Sequence, residues 1–220
     1  TSRPVGGGFG HGVDFNYDDG STVHAAAGEY VTSVFDVVHD NGLRTGLYAS
    51  KSKFAFFDRS WDAANGRPDP IGPDDGTDKI DLYEYNADTA ALKDRFLEDM
   101  GADPFHYAML SFRDPDSAGH GYGWMSPEYL DAVRTVDGYL GEIFAMIDSD
   151  PTLAGHTAVI LASDHGGTAQ SHGDPADPSN YTVPLFVWGP GATAGGDLYA
   201  MNLVTRQDPA TGRPDNTAAP

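Results

Sequence analysis

Apolar and polar positions along this chain switch repeatedly between helical and strand spacing. Residues 1–28 show no periodicity and predict a loop. Tyr30–Asn41 sets Val31, Val34, Phe35, Val37 and Val38 at helical spacing, with Asn41-Gly42 as a stop signal. Thr45–Ser50 predicts a short strand, and residues 58–77, rich in Pro, Gly and Asp, predict an excursion over the surface. Ile80–Tyr85 predicts a second strand, and Ala87–Met100 an amphipathic helix built on Ala91, Leu92, Phe96, Leu97 and Met100. Phe105–Phe112 is a strong strand that runs into a loop from Arg113, and a second loop covers Gly121–Met125. Ser126-Pro127 then supplies an N-cap and a first-turn proline. The helix they start runs to about Asp148, with Tyr129, Val133, Val136, Leu140, Ile143, Phe144 and Ile147 on one face. Val159–Ala162 predicts a buried strand, and Tyr181–Trp188 another, stopped by Gly189-Pro190-Gly191. After Gly195 the chain reads as loop.

Strands alternating with helices predict an α/β fold: a mainly parallel sheet covered on both faces, in one domain over residues 1–220. That length suffices for a sizeable core. Charge changes the picture more. The chain has 33 acidic and 13 basic residues, a formal net charge of −20, and 28 of the acids are Asp. Such a surface repels duplex nucleic acid and anionic membranes, whose binding depends on basic side chains. A salty habitat is one reading of the excess, and the use of Asp in turns and helix caps is another. Cysteine is absent, which excludes thiolate ligands, disulfides and a Cys nucleophile. No stretch approaches the ~18–20 apolar residues of a membrane span.

Two predicted strands end in Asp and His at short spacing: Asp116-x-x-Gly119-His120 and Asp164-His165, with His172 seven residues beyond. Each residue alone has a plain reading. Asp116 and Asp164 suit turn caps, Gly119 suits a positive φ, and the histidines suit solvated loops. Together, at two strand ends, the five point to a metal site, because loops at the carboxyl ends of parallel strands converge on one sheet edge. Imidazole nitrogen and carboxylate oxygen suit zinc first, with manganese or iron as alternatives. Two ions roughly 3.5–4 Å apart can clamp an in-line displacement at phosphorus.

The succession D-P-D-S-A-G-H, A-V-R-T-V-D and V-I-L-A-S-D-H-G-G resembles the alkaline phosphatase superfamily, in its nucleotide pyrophosphatase/phosphodiesterase-type branch, over about residues 1–205. The resemblance implies a three-layer α/β/α sandwich, two zinc-like ions and a Thr or Ser nucleophile that becomes phosphorylated. By position, Asp116 and His120 match ligands of one ion, Asp164 and His165 ligands of the other, and His172 the remaining ligand of the first. The branch carries T-G-x-x-P followed by H-G-x-x-x-N. Here these are Thr1-Ser2-Arg3-Pro4 and His11-Gly12-Val13-Asp14-Phe15-Asn16, which makes Asn16 a substrate-binding donor to a phosphoryl oxygen or, equally, a turn residue. The nucleophile and one metal-binding Asp of the pattern fall upstream of Thr1, so the expectation is a domain truncated at both ends whose own activity is doubtful. Lys51 and Lys53 either face a substrate anion or are solvated loop charges; the second reading is preferred, and they stay outside the site. Phe15, Tyr17, Tyr122 and Trp124 either stack an aromatic leaving group or cover loops.

The implied function is a metal-dependent hydrolase of phosphate esters acting on a small molecule, of phosphodiesterase or nucleotide pyrophosphatase type. The resemblance favours a secreted or periplasmic setting. The rivals are a sulfatase or phosphonate hydrolase on the same metal frame, a phosphoglycerate mutase-like isomerase, and a non-catalytic metal-binding remnant.

Overall fold

The structure, a computed structural model, describes Val5 and residues 10–196. The match at Thr1-Ser2-Arg3-Pro4 and the chain beyond 196 lie outside those residues.

The centre is strand β1 (Thr45–Ala49), flanked by β2 (Leu82–Tyr85) and β3 (Tyr107–Ser111) in the order β2-β1-β3, with both pairings parallel. All five residues of β1 are buried, as expected for a strand covered on both faces. Its side chains alternate between two cores because the strand repeat is two residues. Leu47 joins Val23, Val31, Phe35, Phe56, Trp61 and Ile80 on one face. Tyr48 joins Leu92, Phe96, Met100, Phe105, Ile143 and Ile147 on the other. Helices α1 (Val23–Ala27), α2 (Val34–His39) and α3 (Ala55–Ser60) supply the first core. Helix α4 (Thr89–Ala102) and the long helix that follows β3 supply the second. The expected α/β/α sandwich is therefore present. No helix among the described residues is long and apolar enough to cross a membrane.

The helix starts follow their caps. Ser33 and Asp36 form a reciprocal capping box on α2, and Asp88 accepts from the amides of Ala90 and Ala91 at α4.

Three expectations need correction. The first is that α1 and α3 form inside stretches read as irregular. Thr22 caps α1 through the Ala25 amide, and Val23 N–H donates to the buried Ser60 hydroxyl at 3.0 Å. The surface excursion therefore begins after Ser60 rather than at residue 58.

The second is that the segment after β3 is a helix, α5 (Asp114–Tyr122), not a loop. Pro115 sits in its first turn together with Asp114 and Asp116, residues suited to a helix N-terminus. Helix α6 (Pro127–Ser149) follows, with Ser126 accepting from Tyr129 N–H at 3.1 Å and Pro127 as its first residue, as read.

The third concerns β4 (Val159–Ala162), which pairs antiparallel with β5 (Leu185–Trp188) in a separate ribbon rather than extending the parallel sheet. Val159 and Leu161 lie opposite Trp188 and Phe186. These four line a groove with Leu140 and Phe144 of α6, where the Phe144 and Trp188 rings sit 5.0 Å apart. Ile160, on the opposite side of the ribbon, is 71% exposed, so β4 is not the fully buried strand its composition predicts.

Candidate metal centre

The ends of β1, β3 and β4 deliver the candidate residues. Helical geometry in α5 puts Asp116 and His120 one turn apart on the same face. The loop after β4 brings His165 and His172, whose rings stack at 3.7 Å and 17°. All three imidazoles turn Nε2 toward one oxygen: Asp116 Oδ1 lies 3.5 Å from His120, 3.4 Å from His165 and 3.9 Å from His172.

The opposite ring nitrogens fix the tautomers. His120 Nδ1 is 3.0 Å from the Gln170 carbonyl and His165 Nδ1 is 2.9 Å from the Gly166 carbonyl. A carbonyl only accepts, so both Nδ1 atoms carry a proton, which leaves Nε2 as the ligand atom of each ring. Burial, and then the neighbouring His165 and His120, push the His172 pKa below its ordinary value. Three imidazole Nε2 atoms thus converge on Asp116 Oδ1, a buried carboxylate oxygen with no hydrogen-bond partner. Such an arrangement could hold a cation at its centre, and Nδ1 atoms held by carbonyls are the usual outer support of metal-binding histidines. The ligand atoms of Asp116, His120 and His172 all lie within 4.8 Å of one another. The donor set fits a zinc-like ion.

Asp164 stands at the edge. Its side chain is 74% exposed, with Oδ2 3.5 Å from His165 Nε2. Its Oδ1 accepts from the His165 amide at 3.1 Å, the capping contact of the plain reading. The division of ligands between two ions is not drawn by these distances, because His165 approaches Asp116 as closely as His120 does.

Lys51 and Lys53, set aside on sequence, belong to this region. Lys51 Nζ donates to Asp116 Oδ2 at 2.6 Å. Burial pushes the Asp116 pKa up, but Lys51, His120 and His165 outweigh it and hold the carboxyl below its ordinary value. Lys53 donates to Asn16 Oδ1, and its pKa is lowered by burial and by Lys51 against the pull of Asp164 and Asp116. Asn16 is exposed and, among the described residues, meets the centre through Lys53. The available signal was that two of the chain's four lysines, Lys51 and Lys53, follow the end of a strand.

Fold and cluster define an α/β/α sandwich that gathers one carboxylate and three imidazoles at its strand ends. The family model described as Type I phosphodiesterase / nucleotide pyrophosphatase matches residues 15–184. The chain belongs to that family, within the alkaline phosphatase superfamily.

Among curated proteins it is similar to GPI ethanolamine phosphate transferase 1 of Neurospora crassa, 40% identical over 77 residues, 34% of this chain and 8% of that protein. The same enzyme of Aspergillus oryzae is 34% identical over 105 residues, 47% of this chain and 9% of that one. The matched stretches thus span under a tenth of these relatives. Murine ectonucleotide pyrophosphatase / phosphodiesterase 5, solved in complex with AMP, aligns with TM-score 0.41 at 23% identity, covering 62% of this chain and 33% of that one.

Proposed function

We propose that this domain holds a divalent cation centre that acts on phosphate diesters. The single observation that carries this reading is Asp116 Oδ1, buried without a hydrogen-bond partner and faced by three imidazole Nε2 atoms. Asp116, His120, His165 and His172 would hold the ion, with Asp164 available beside His165, and zinc is the best match to the donors. Bound there, the ion would neutralise charge developing on a phosphoryl group.

The chain's own residues account for the rest. Lys51 and Lys53 supply positive charge beside the carboxylates and would attract the ester's anionic oxygens. Asn16, whose Oδ1 is taken by Lys53, would offer its amide N–H groups to the same oxygens. The relatives' name, ethanolamine phosphate transferase, favours a phosphodiester link as the bond acted on, with water or a second alcohol as acceptor.

The test has two arms. Zinc bound after dialysis is measured for the wild type and for Asp116→Ala, with zinc expected in the first and lost in the second. Turnover of an aryl phosphodiester is then compared with an aryl phosphomonoester, phosphonate and sulfate. A diester preference that disappears in Asp116→Ala supports the reading. A preference for the sulfate or phosphonate, or no zinc in the wild type, overturns it.

A further inference from the structure

Trp124 is a large ring that joins neither apolar core. It sits instead among the imidazoles, with ring centroids 5.2 Å from His120, 5.9 Å from His172 and 6.4 Å from His165. We propose that Trp124 is a positioning residue of the metal centre, the common wall that holds the three histidines with their Nε2 atoms toward Asp116. The inference rests on reading that cluster as a cation site.

Two glycines carry the argument. Gly119 lies in α5, between Asp116 and His120, and Gly167 lies in the loop after β4, between His165 and His172. Neither adopts a positive φ, so backbone conformation does not demand glycine at either place. The indole does. A Cβ on Gly119 would come 2.8 Å from the ring, and one on Gly167 would come 2.2 Å from it. Glycine inside a helix is disfavoured against alanine by roughly 0.5–1 kcal/mol. Both ligand-bearing segments therefore dispense with a side chain where the indole passes.

Trp124 is also held in place by hydrogen bonds between those segments. Its N–H donates to the Ala169 carbonyl at 2.7 Å. Gln170 Nε2 donates to the Gly121 carbonyl at 3.0 Å, and His120 Nδ1 to the Gln170 carbonyl at 3.0 Å. The turn between α5 and α6 and the loop after β4 are thereby joined edge to edge, with the indole between them. Supports of this kind matter because ligands that must reorganise bind an ion less tightly.

The experiment uses zinc alone as the probe, in competition with a chromophoric chelator. Trp124→Ala is expected to weaken zinc binding by about 10–100-fold, the usual effect of removing an outer-shell support, and Trp124→Phe to stay within about threefold of wild type. Tryptophan emission supplies an independent readout: the change caused by zinc in the wild type should vanish in Trp124→Phe, although Trp61 and Trp188 remain. If circular dichroism shows Trp124→Ala to be unfolded, Gly167→Ala takes its place, since the added methyl must displace the indole, with the same weakening expected. Wild-type affinity in a folded Trp124→Ala or Gly167→Ala, or an emission change that survives Trp124→Phe, overturns the proposal while leaving the cation site standing. Absence of zinc binding in the wild type overturns both.

Discussion

His24 is held neutral by its two hydrogen bonds. Its Nδ1 accepts from Val31 N–H at 3.0 Å, so the proton sits on Nε2, which donates to the Ser60 carbonyl at 2.5 Å. The ring stacks on Tyr30 at 4.1 Å and meets Trp61 edge-on. Burial lowers its pKa below the ordinary value, against the raising effects of Ser60 and Asp36. A histidine with a depressed folded pKa binds fewer protons folded than unfolded, so its contribution is full above the unfolded pKa of about 6.5 and is lost as pH falls below it. Stability measured by urea unfolding should therefore fall from pH 7.5 to pH 5.5, and the fall should be shallower in His24→Gln. Equal slopes in the two proteins would remove His24 from the account. At this scale the sequence was informative where spacing repeats a helix turn: Asp116 and His120 stood out, and the structure brings them together. It did not decide the role of Lys51 and Lys53, because a lysine after a strand looks the same whether it meets water or, as Lys51 does, a carboxylate at 2.6 Å.

At the scale of elements, legibility followed hydrophobic periodicity. Strands β1 and β3 and helices α4 and α6 carry apolar side chains at the right repeat and were visible. Helix α5 was hidden, because D-P-D-S-A-G-H-G-Y offers no apolar stripe and contains two glycines. Its support comes from outside itself, through Thr89 Oγ1 donating to Asp114 Oδ1 at 2.8 Å and through the indole against Gly119. The stretch from Trp61 to Asp78 also lacks a periodic signal and is anchored in part by the buried Lys79 that follows it. Lys79 is fully buried, with Nζ 3.0 Å from Asp40, 2.7 Å from the Gly76 carbonyl and bonded to the buried Asp69. Burial raises the Asp69 pKa, but hydrogen bonds from Asp75 and Lys79 outweigh it and hold the carboxyl well below its ordinary value. Removing one partner of a buried ion pair leaves the other charge unpaired, at a cost of about 3–5 kcal/mol. Lys79→Met should lose stability by about that much in urea unfolding and gain proteolytic cleavage between residues 61 and 78. A loss below about 1 kcal/mol would mean that the segment is held by its backbone, as by the 2.7 Å bond from Lys79 N–H to the Trp61 carbonyl.

Across the whole molecule, a charge of −20 opposes the compact state and also opposes an anionic ester approaching it. Four of the described arginines are each paired with a single carboxylate. Arg44 pairs with Asp103, Arg59 with Asp18, Arg95 with Asp99, and Arg134 with Asp131. With 33 acids against 13 bases, most carboxylates have no cation left to face. Salt acts on both terms. Raising ionic strength from 0.01 M to 1 M shortens the screening length from about 30 Å to about 3 Å, which weakens repulsion between separated carboxylates and attraction within exposed pairs. Exposed pairs contribute only about 0–1 kcal/mol each, and the buried contacts of Lys79 are screened much less, so relief of repulsion should win. The melting temperature should therefore rise steadily over that range of sodium chloride, and solubility with it. A flat or falling curve would show that pairs such as Arg44–Asp103, rather than self-repulsion, set the balance, and that the excess of Asp is turn and cap chemistry alone.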